Sequence, residues 1–258
     1  MRKEENKKQI IGMVQSQRKL LYRIGTRKLH HLLHDELVSK ELKCGRDKLF
    51  YYLRQEDMLI KPKRRYVQTT NSKHWLRRYP NLTKDITVTQ PEQLWVSDIT
   101  YIKTEQGHSY LNMVTDAFSR KIVGYSIADN METTSMIQAY KMALTNKKNK
   151  NTQTIHHSDR GLQYCSKEYV ELSHNNNCLI SMTENGDPYE NALAERMNRT
   201  IKEEFGLGES LKSKQIAEQM IKEAVYIYNN YRPHLALNYK TPEQVHKKIS
   251  DNIQCYQR

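Results

Sequence analysis

Long apolar runs are missing from this 258-residue chain, and cysteine is missing from any paired spacing. No stretch of about eighteen apolar residues occurs that could cross a bilayer, and the opening MRKEENKKQI has no apolar centre of the kind a secretory signal needs. A cytoplasmic protein with no membrane partner is the expectation. The four cysteines, Cys44, Cys165, Cys178 and Cys255, form no Cys-x-x-Cys pair. That removes the usual spacing of a disulfide framework or a thiolate zinc site and leaves reduced thiols. His30 and His34, four apart on an expected helix, could offer two zinc ligands, but Cys44 has no second cysteine nearby and a polar helix face accounts for them. Internal repeats and low-complexity tracts are also absent.

Acidic residues are scarce in one region only. Residues 1–84 carry 22 Lys and Arg against 8 Asp and Glu, whereas the other 174 residues carry 20 against 21. The whole net charge of +13 therefore belongs to the first third. A cationic segment of that kind attracts a polyanion by neutralising phosphates and releasing counterions, so nucleic acid is the expected partner. An acidic protein or a membrane surface would be the other takers, but no basic helix with a bulky apolar face supports the membrane.

What is present is patterned. TRKLHHLLHDEL (26–37) sets Leu29, Leu32, Leu33 and Leu37 at helical spacing, with Thr26 as the expected N-cap. After SKELKCG, the stretch RDKLFYYLRQEDML puts Leu49, Tyr52 and Leu53 on one side of a second helix opened by Arg46 and Lys48. Two such helices form either a plain packing unit or a helix-turn-helix whose later helix enters the major groove. Pro62 then stops helix, and Lys61, Lys63, Arg64 and Arg65 crowd positive charge into a linker that is either a solvated hinge or a strap along a phosphate backbone. From residue 93 the runs LWVSDITYI, YLNMVTDAF and KIVGYSIA read as strands separated by turns at EQGH and SR. A helix over METTSMIQAYKMAL follows, then a strand into HHSD, a helix through SKEYVELSHN, a short CLISM strand and a long helix over about 188–205. The expected architecture is α/β, a mixed five-stranded sheet flanked by helices and preceded by a small all-α domain. The expected boundaries are 1–60 helical, 61–90 basic linker, 91–206 core and 207–258 a C-terminal helical extension.

Asp98 interrupts a run suited to a buried strand. Unpartnered and ionised, it would cost several kcal/mol, so a cation or a neighbouring Lys or Arg has to accompany it. Asp159, in HHSDRGLQY, stands where a strand gives out beside Gly161. On the long helix, Tyr189, Leu193, Met197, Ile201 and Phe205 share one face, while Asn191, Glu195, Asn198, Arg199 and Lys202 share another. That polar face is either solvated or part of a site. Three carboxylates without a thiolate suit a hard cation, Mg²⁺ or Mn²⁺, and two such ions can drive in-line phosphoryl displacement. His156 and His157 then need no chemical role. At the far end, Thr241, Pro242 and Gln244 combine a capping box with proline at the first helical position, and Asn229 with its neighbouring tyrosines either packs helices or meets DNA.

WVSDITYI, HHSDRGLQY and DPYENALAERMNRTIKEEF together resemble the three catalytic blocks of the retroviral-integrase-like DDE transposases. More narrowly, the chain resembles the second-frame protein (OrfB) of the insertion-sequence-three family. Between Asp159 and Glu195 lie 35 residues, the spacing of the D,D(35)E group, and YNNYRPHLALNYKTPEQ resembles the family's terminal block. Glu190 stands where the family often has Asp, and Met197 where it often has Phe, departures that bear on subgroup. The resemblance implies an RNase H-like core with Asp98 on the first strand, Asp159 after the fourth and Glu195 on a later helix, all three catalytic and metal-ligating around two Mg²⁺ or Mn²⁺ ions. It implies nicking that exposes a 3′-OH at an element end, followed by strand transfer. DNA, both terminal inverted repeats and target, is the implied substrate. The implied contacts are Arg46, Lys48, Lys63, Arg64, Arg65, Gln163, Tyr164, Asn191, Arg199 and Lys202, with Lys202 near the scissile end. First-frame protein (OrfA), in some cases fused by frameshifting, is the implied partner, and a homo-oligomer on DNA the implied assembly. The competing expectations are a DNA-binding or assembly subunit inactive without first-frame protein, and an RNase H-like nuclease.

Overall fold

The computed structural model describes residues 2–61, 79–130, 132–184 and 188–247. Lys63, Arg64 and Arg65 lie outside them.

Three helices come first: α1 (Arg2–Leu20), α2 (Thr26–Ser39) and α3 (Arg46–Gln55). The last two match the expected helix pair. The first is a correction, since its Lys-, Glu- and Gln-rich sequence hides a short apolar stripe of Ile10, Met13 and Val14. Those three join Leu29, Leu33, Leu37, Leu49 and Leu53 in one core. Thr26 is not the cap. Gly25 holds the N-cap position in an extended conformation and Thr26 is a buried first-turn residue.

Five strands form one sheet in the order β3-β2-β1-β4-β5. They are β1 (Leu94–Thr104), β2 (Gly107–Asp116), β3 (Ile122–Ala128), β4 (Thr154–Ser158) and β5 (Cys178–Met182). The first three are an antiparallel meander; β4 runs parallel to β1 and β5 parallel to β4. Its hairpin turns fall where EQGH and SR predicted, with Gly107 at φ 127° and Arg120 at φ 64°.

Alternation along the strands feeds two cores. Trp95, Ile99, Val114 and Val123 meet α4 (Thr133–Asn146) and α5 (Lys167–Asn175) on one face. Ile102, Leu111, Met113 and Ile122 meet α6 (Ala192–Glu204) and α7 (Lys214–Tyr231) on the other. Helix α4 approaches β3 closely because Ala139 and Ala143 face Gly124, where an added Cβ would lie 2.1 Å from the Ala139 carbonyl oxygen. The capping box expected at 241–244 is formed: Gln244 Oε1 accepts from Thr241 N at 2.9 Å, and Thr241 Oγ1 accepts from Gln244 N at 3.3 Å. Asn229 is buried and exchanges two hydrogen bonds with the Ile122 backbone, which assigns it to packing. Among the described residues no helix is long and apolar enough to cross a membrane.

Candidate active site

The parallel register of β1 with β4 pairs Leu94 with Ile155 and ends by pairing Ser97 with Ser158. One residue further in the same register sets Asp98 beside Asp159. Adjacent strands are about 4.8 Å apart, and both acids fall on the sheet face that α6 covers, since Val96 and Ile155 on that face pack with Ala194. Asp159 follows the last residue of β4, so it stands at the carboxyl end of that strand beside the middle of β1.

Helix α6 is tied along β1 by three polar side chains. Asn191 Nδ2 donates to Ser97 O at 3.0 Å, Asn198 Nδ2 to Asp98 Oδ2 at 2.8 Å, and Lys202 Nζ to Tyr101 O at 2.9 Å. Glu195 lies between Asn191 and Asn198 on the same stripe, four and three residues away. It is exposed, as is Arg199.

The three acids feel one another's charge. The Asp98 carboxyl is pushed up to about 7, first by burial, then by the negative charge of Asp159 and more weakly by that of Glu195; the Asn198 amide and the Ile99 N–H oppose this. Glu195 is raised too, by burial and then by Asp159. Among the described residues no Lys or Arg pairs with Asp98, whose carboxylate accepts only from the Ile99 N–H and the Asn198 amide. The buried Oδ1 atoms of Asn191 and Asn198 have no hydrogen-bond partner among the described residues. An all-oxygen donor set whose members repel one another fits a hard divalent cation. As they stand, no three His, Cys, Asp or Glu side chains among the described residues are close enough to hold an ion.

Gly161 serves the site through space rather than conformational freedom, since its φ is −64°. A Cβ there would lie 2.8 Å from Gln163 Oε1 and 3.1 Å from Asp159 Oδ1, and Gly161 N donates to that same Oδ1 at 3.0 Å. In the following turn (Leu162–Cys165), Gln163 and Tyr164, the residues expected near DNA, both lie inside the protein. Gln163 is 7% exposed and Tyr164 1%, with Tyr164 packed edge-on to His156 and Tyr169; Leu162 is the exposed member. Asn191 is likewise buried and joins helix to strand rather than facing outward. Lys202 is half-buried, its ammonium lowered by burial and seated 4.2 Å from the Tyr101 ring centroid. Arg46 and Lys48 are exposed in the first turn of α3; Arg46 pairs with Asp47 and Lys48 donates to Lys43 O.

The histidines are structural. His156 bonds Ser97 and Tyr169 and stacks on Tyr140, with burial lowering it to about 3. His157 bonds Ser181 and the Glu190 carbonyl. Cys44 and Cys178 are buried free thiols, and His30 meets the Cys44 carbonyl instead of a metal partner. Asn198 is the residue that sequence reasoning undervalued. Its place three after Glu195 was visible, but its contact to Asp98 depends on how α6 lies on β1.

A mixed sheet in this order, flanked by helices, defines an integrase-type core. Residues 88–188 match the family model "Integrase core domain", and residues 176–242 match a second model of that description. The chain is 33% identical over 226 residues to the insertion element IS600 uncharacterized 31 kDa protein of Shigella sonnei, covering 87% of this chain and 81% of that one. It is 32% identical over 218 residues to transposase InsF for insertion sequence IS3A of Escherichia coli (strain K12), covering 84% and 75%. The fold is also similar to that of a chain in the simian T-cell lymphotropic virus intasome in complex with PP2A regulatory subunit B56 gamma, with a TM-score of 0.53 and 17% identity over 86% of this chain and 74% of that one. The chain belongs to the insertion-sequence-three (IS3) family of transposases.

Proposed function

We infer that Asp98, Asp159 and Glu195 hold two Mg²⁺ or Mn²⁺ ions and that the chain nicks DNA at element ends to expose a 3′-OH, then joins that end to another phosphodiester. The observation that carries this reading is the neighbouring register of Asp98 and Asp159 under a helix whose Glu195 adds to the same negative field. When bound, the ions would activate the attacking oxygen and stabilise the leaving one. The chain's own part is placement. Asn198 orients the Asp98 carboxylate, and the Gly161 N–H orients that of Asp159. Arg199 is exposed where a phosphate could meet it, and Lys202 retains donor capacity beside its β1 contacts. Arg46 and Lys48 would read the terminal repeat, and Lys63, Arg64 and Arg65 would follow the backbone.

The test is 3′-end nicking and joining on an element-end duplex with Asp98→Asn, Asp159→Asn and Glu195→Gln. Each substitution is expected to lower both steps on the order of 100-fold or more. Undiminished activity in all three refutes the assignment.

In a conditional form of this reading, the chain binds DNA alone and becomes competent with first-frame protein, as a homo-oligomer on DNA. Joining that starts only when first-frame protein is added supports that form. Cleavage at arbitrary sequences without joining would point to a nuclease instead.

A further inference from the structure

Helix α2 has an outward face that its own core leaves unused. Leu29, Leu33 and Leu37 point into the N-terminal core, whereas Lys28 and His31, three residues apart and so on one side of the helix, meet the C-terminal part of the chain. Lys28 Nζ lies 3.9 Å from Glu204 Oε1 at the end of α6. That same Glu204 is gripped by Arg232, 4% exposed, through Nε to Oε2 at 2.7 Å and Nη2 to Oε1 at 2.5 Å. The Arg232 Nη1 meets His234 Nε2 at 2.9 Å. One turn along α2, the His31 ring stacks on Tyr239 with centroids 4.4 Å apart and planes at 22°.

Tyr239 is held in place for that contact. Asn238 and Tyr239 are both left-handed, at φ 51° and 62°, a conformation non-glycine residues keep only where their surroundings enforce it. The turn closes on itself through Tyr239 N to His234 O at 2.8 Å and His234 N to Lys240 O at 3.1 Å. Ile227 of α7 packs against the N-terminal core just before this turn.

The geometry points to a ruler: the end of α7 and the turn 234–240 dock α2 so that α3, placed on the terminal repeat, determines which phosphodiester reaches the carboxylates. Glu204 shares one helix with Glu195, roughly 13 Å away at 1.5 Å per residue, and α2 leads into α3 through a short connection. Few and mostly polar, these contacts contribute orientation more than stability. The inference rests on the reading that α3 contacts the element end and that the three acids cut it.

The experiment uses the full chain, wild type against His31→Ala with Tyr239→Ala, with Tyr239→Phe as the ring-preserving control. One arm maps nick positions on an element-end duplex. The other measures the distance distribution between spin labels carried on unnatural side chains at Val38 and Ile216, both exposed, so that native thiols stay unlabelled. The double variant is expected to bind the duplex within about twofold of wild type, to broaden the label distances, and to scatter nicks over several neighbouring phosphodiesters. Tyr239→Phe is expected to keep one cut. Unchanged label distances, or a single cut despite broadened distances, overturns the ruler. A wild-type chain that binds the end and nicks nowhere even with first-frame protein added refutes the catalytic reading instead, and the label distances then decide the docking on their own.

Discussion

At the scale of single residues, Asp98 carries the sharpest consequence. Its folded pKa of about 7 stands above the ordinary 3.8, so the folded chain holds that proton more tightly than the unfolded chain does. Stability from this group is therefore greatest below about pH 4, falls as pH rises toward 7, and stays low above it. A tenfold difference in proton affinity between the folded and unfolded chains corresponds to about 1.4 kcal/mol, which puts the cost of the ionised carboxylate on the order of 2–4 kcal/mol at pH 8. Asp98→Asn should remove that cost. Its new amide oxygen can accept from Ile99 N, and once the Asn198 amide turns over by 180°, its NH₂ can donate to Asn198 Oδ1. Denaturant titrations without divalent ions should show the variant more stable than wild type at pH 8, with the difference gone near pH 4. Added Mg²⁺ should stabilise wild type and leave the variant unmoved, because only the ionised site gains a ligand. Parallel pH profiles for the two proteins would remove the electrostatic basis of the site.

At the scale of elements, the contrast between what the sequence disclosed and what it withheld has physical causes. Strands β1 to β5 and helices α2 to α6 follow apolar periods strong enough to read in one dimension, and Asp98 announces itself as a charge inside such a period; α7 is expected only as part of an undivided helical extension. Helix α1 does not, because three buried residues among lysines and glutamates leave a weak stripe that only its partners α2 and α3 make sense of. Tyr164 sits two residues from exposed Leu162, yet the tight turn sends it inward, a direction that depends on backbone geometry rather than residue type. The same dependence governs β3 and α4. Gly124 reads as an ordinary strand glycine, but a Cβ there would stand 2.1 Å from a carbonyl oxygen and 2.8 Å from Ala143 N, both backbone atoms that a rotamer change cannot move. Gly124→Ala should therefore push α4 off the sheet and lower stability by about 3 kcal/mol, at the upper end of overpacking costs. Thermal melts would show this directly. A loss below about 0.5 kcal/mol, the size of an ordinary surface change, would mean that α4 packs less closely than described.

Across the whole molecule, charge and chemistry are separated. The first 84 residues hold the entire positive excess, and the part that bears Asp98, Asp159 and Glu195 is close to neutral. Three carboxylates repel a phosphate backbone, so affinity has to come from elsewhere on the chain, and the basic third is the only region with the surplus to supply it. Two kinds of contact within that third should separate experimentally. Replacing Lys63, Arg64 and Arg65 with Ala should weaken binding to every duplex alike and reduce the slope of log K against log salt by about 2–3, near one for each phosphate that is no longer neutralised. Replacing Arg46 and Lys48 should cost roughly 1–3 kcal/mol of preference for the element end over random DNA, because side chains at the start of a groove-entering helix reach base edges. Binding isotherms at three or more salt concentrations, on specific and scrambled duplexes, measure both quantities at once. If the two sets of variants changed slope and preference in the same proportion, the basic third would be one undifferentiated phosphate-binding surface. Selection of the element end would then have to arise outside that third, on the proposed reading near Asp98 and Asp159.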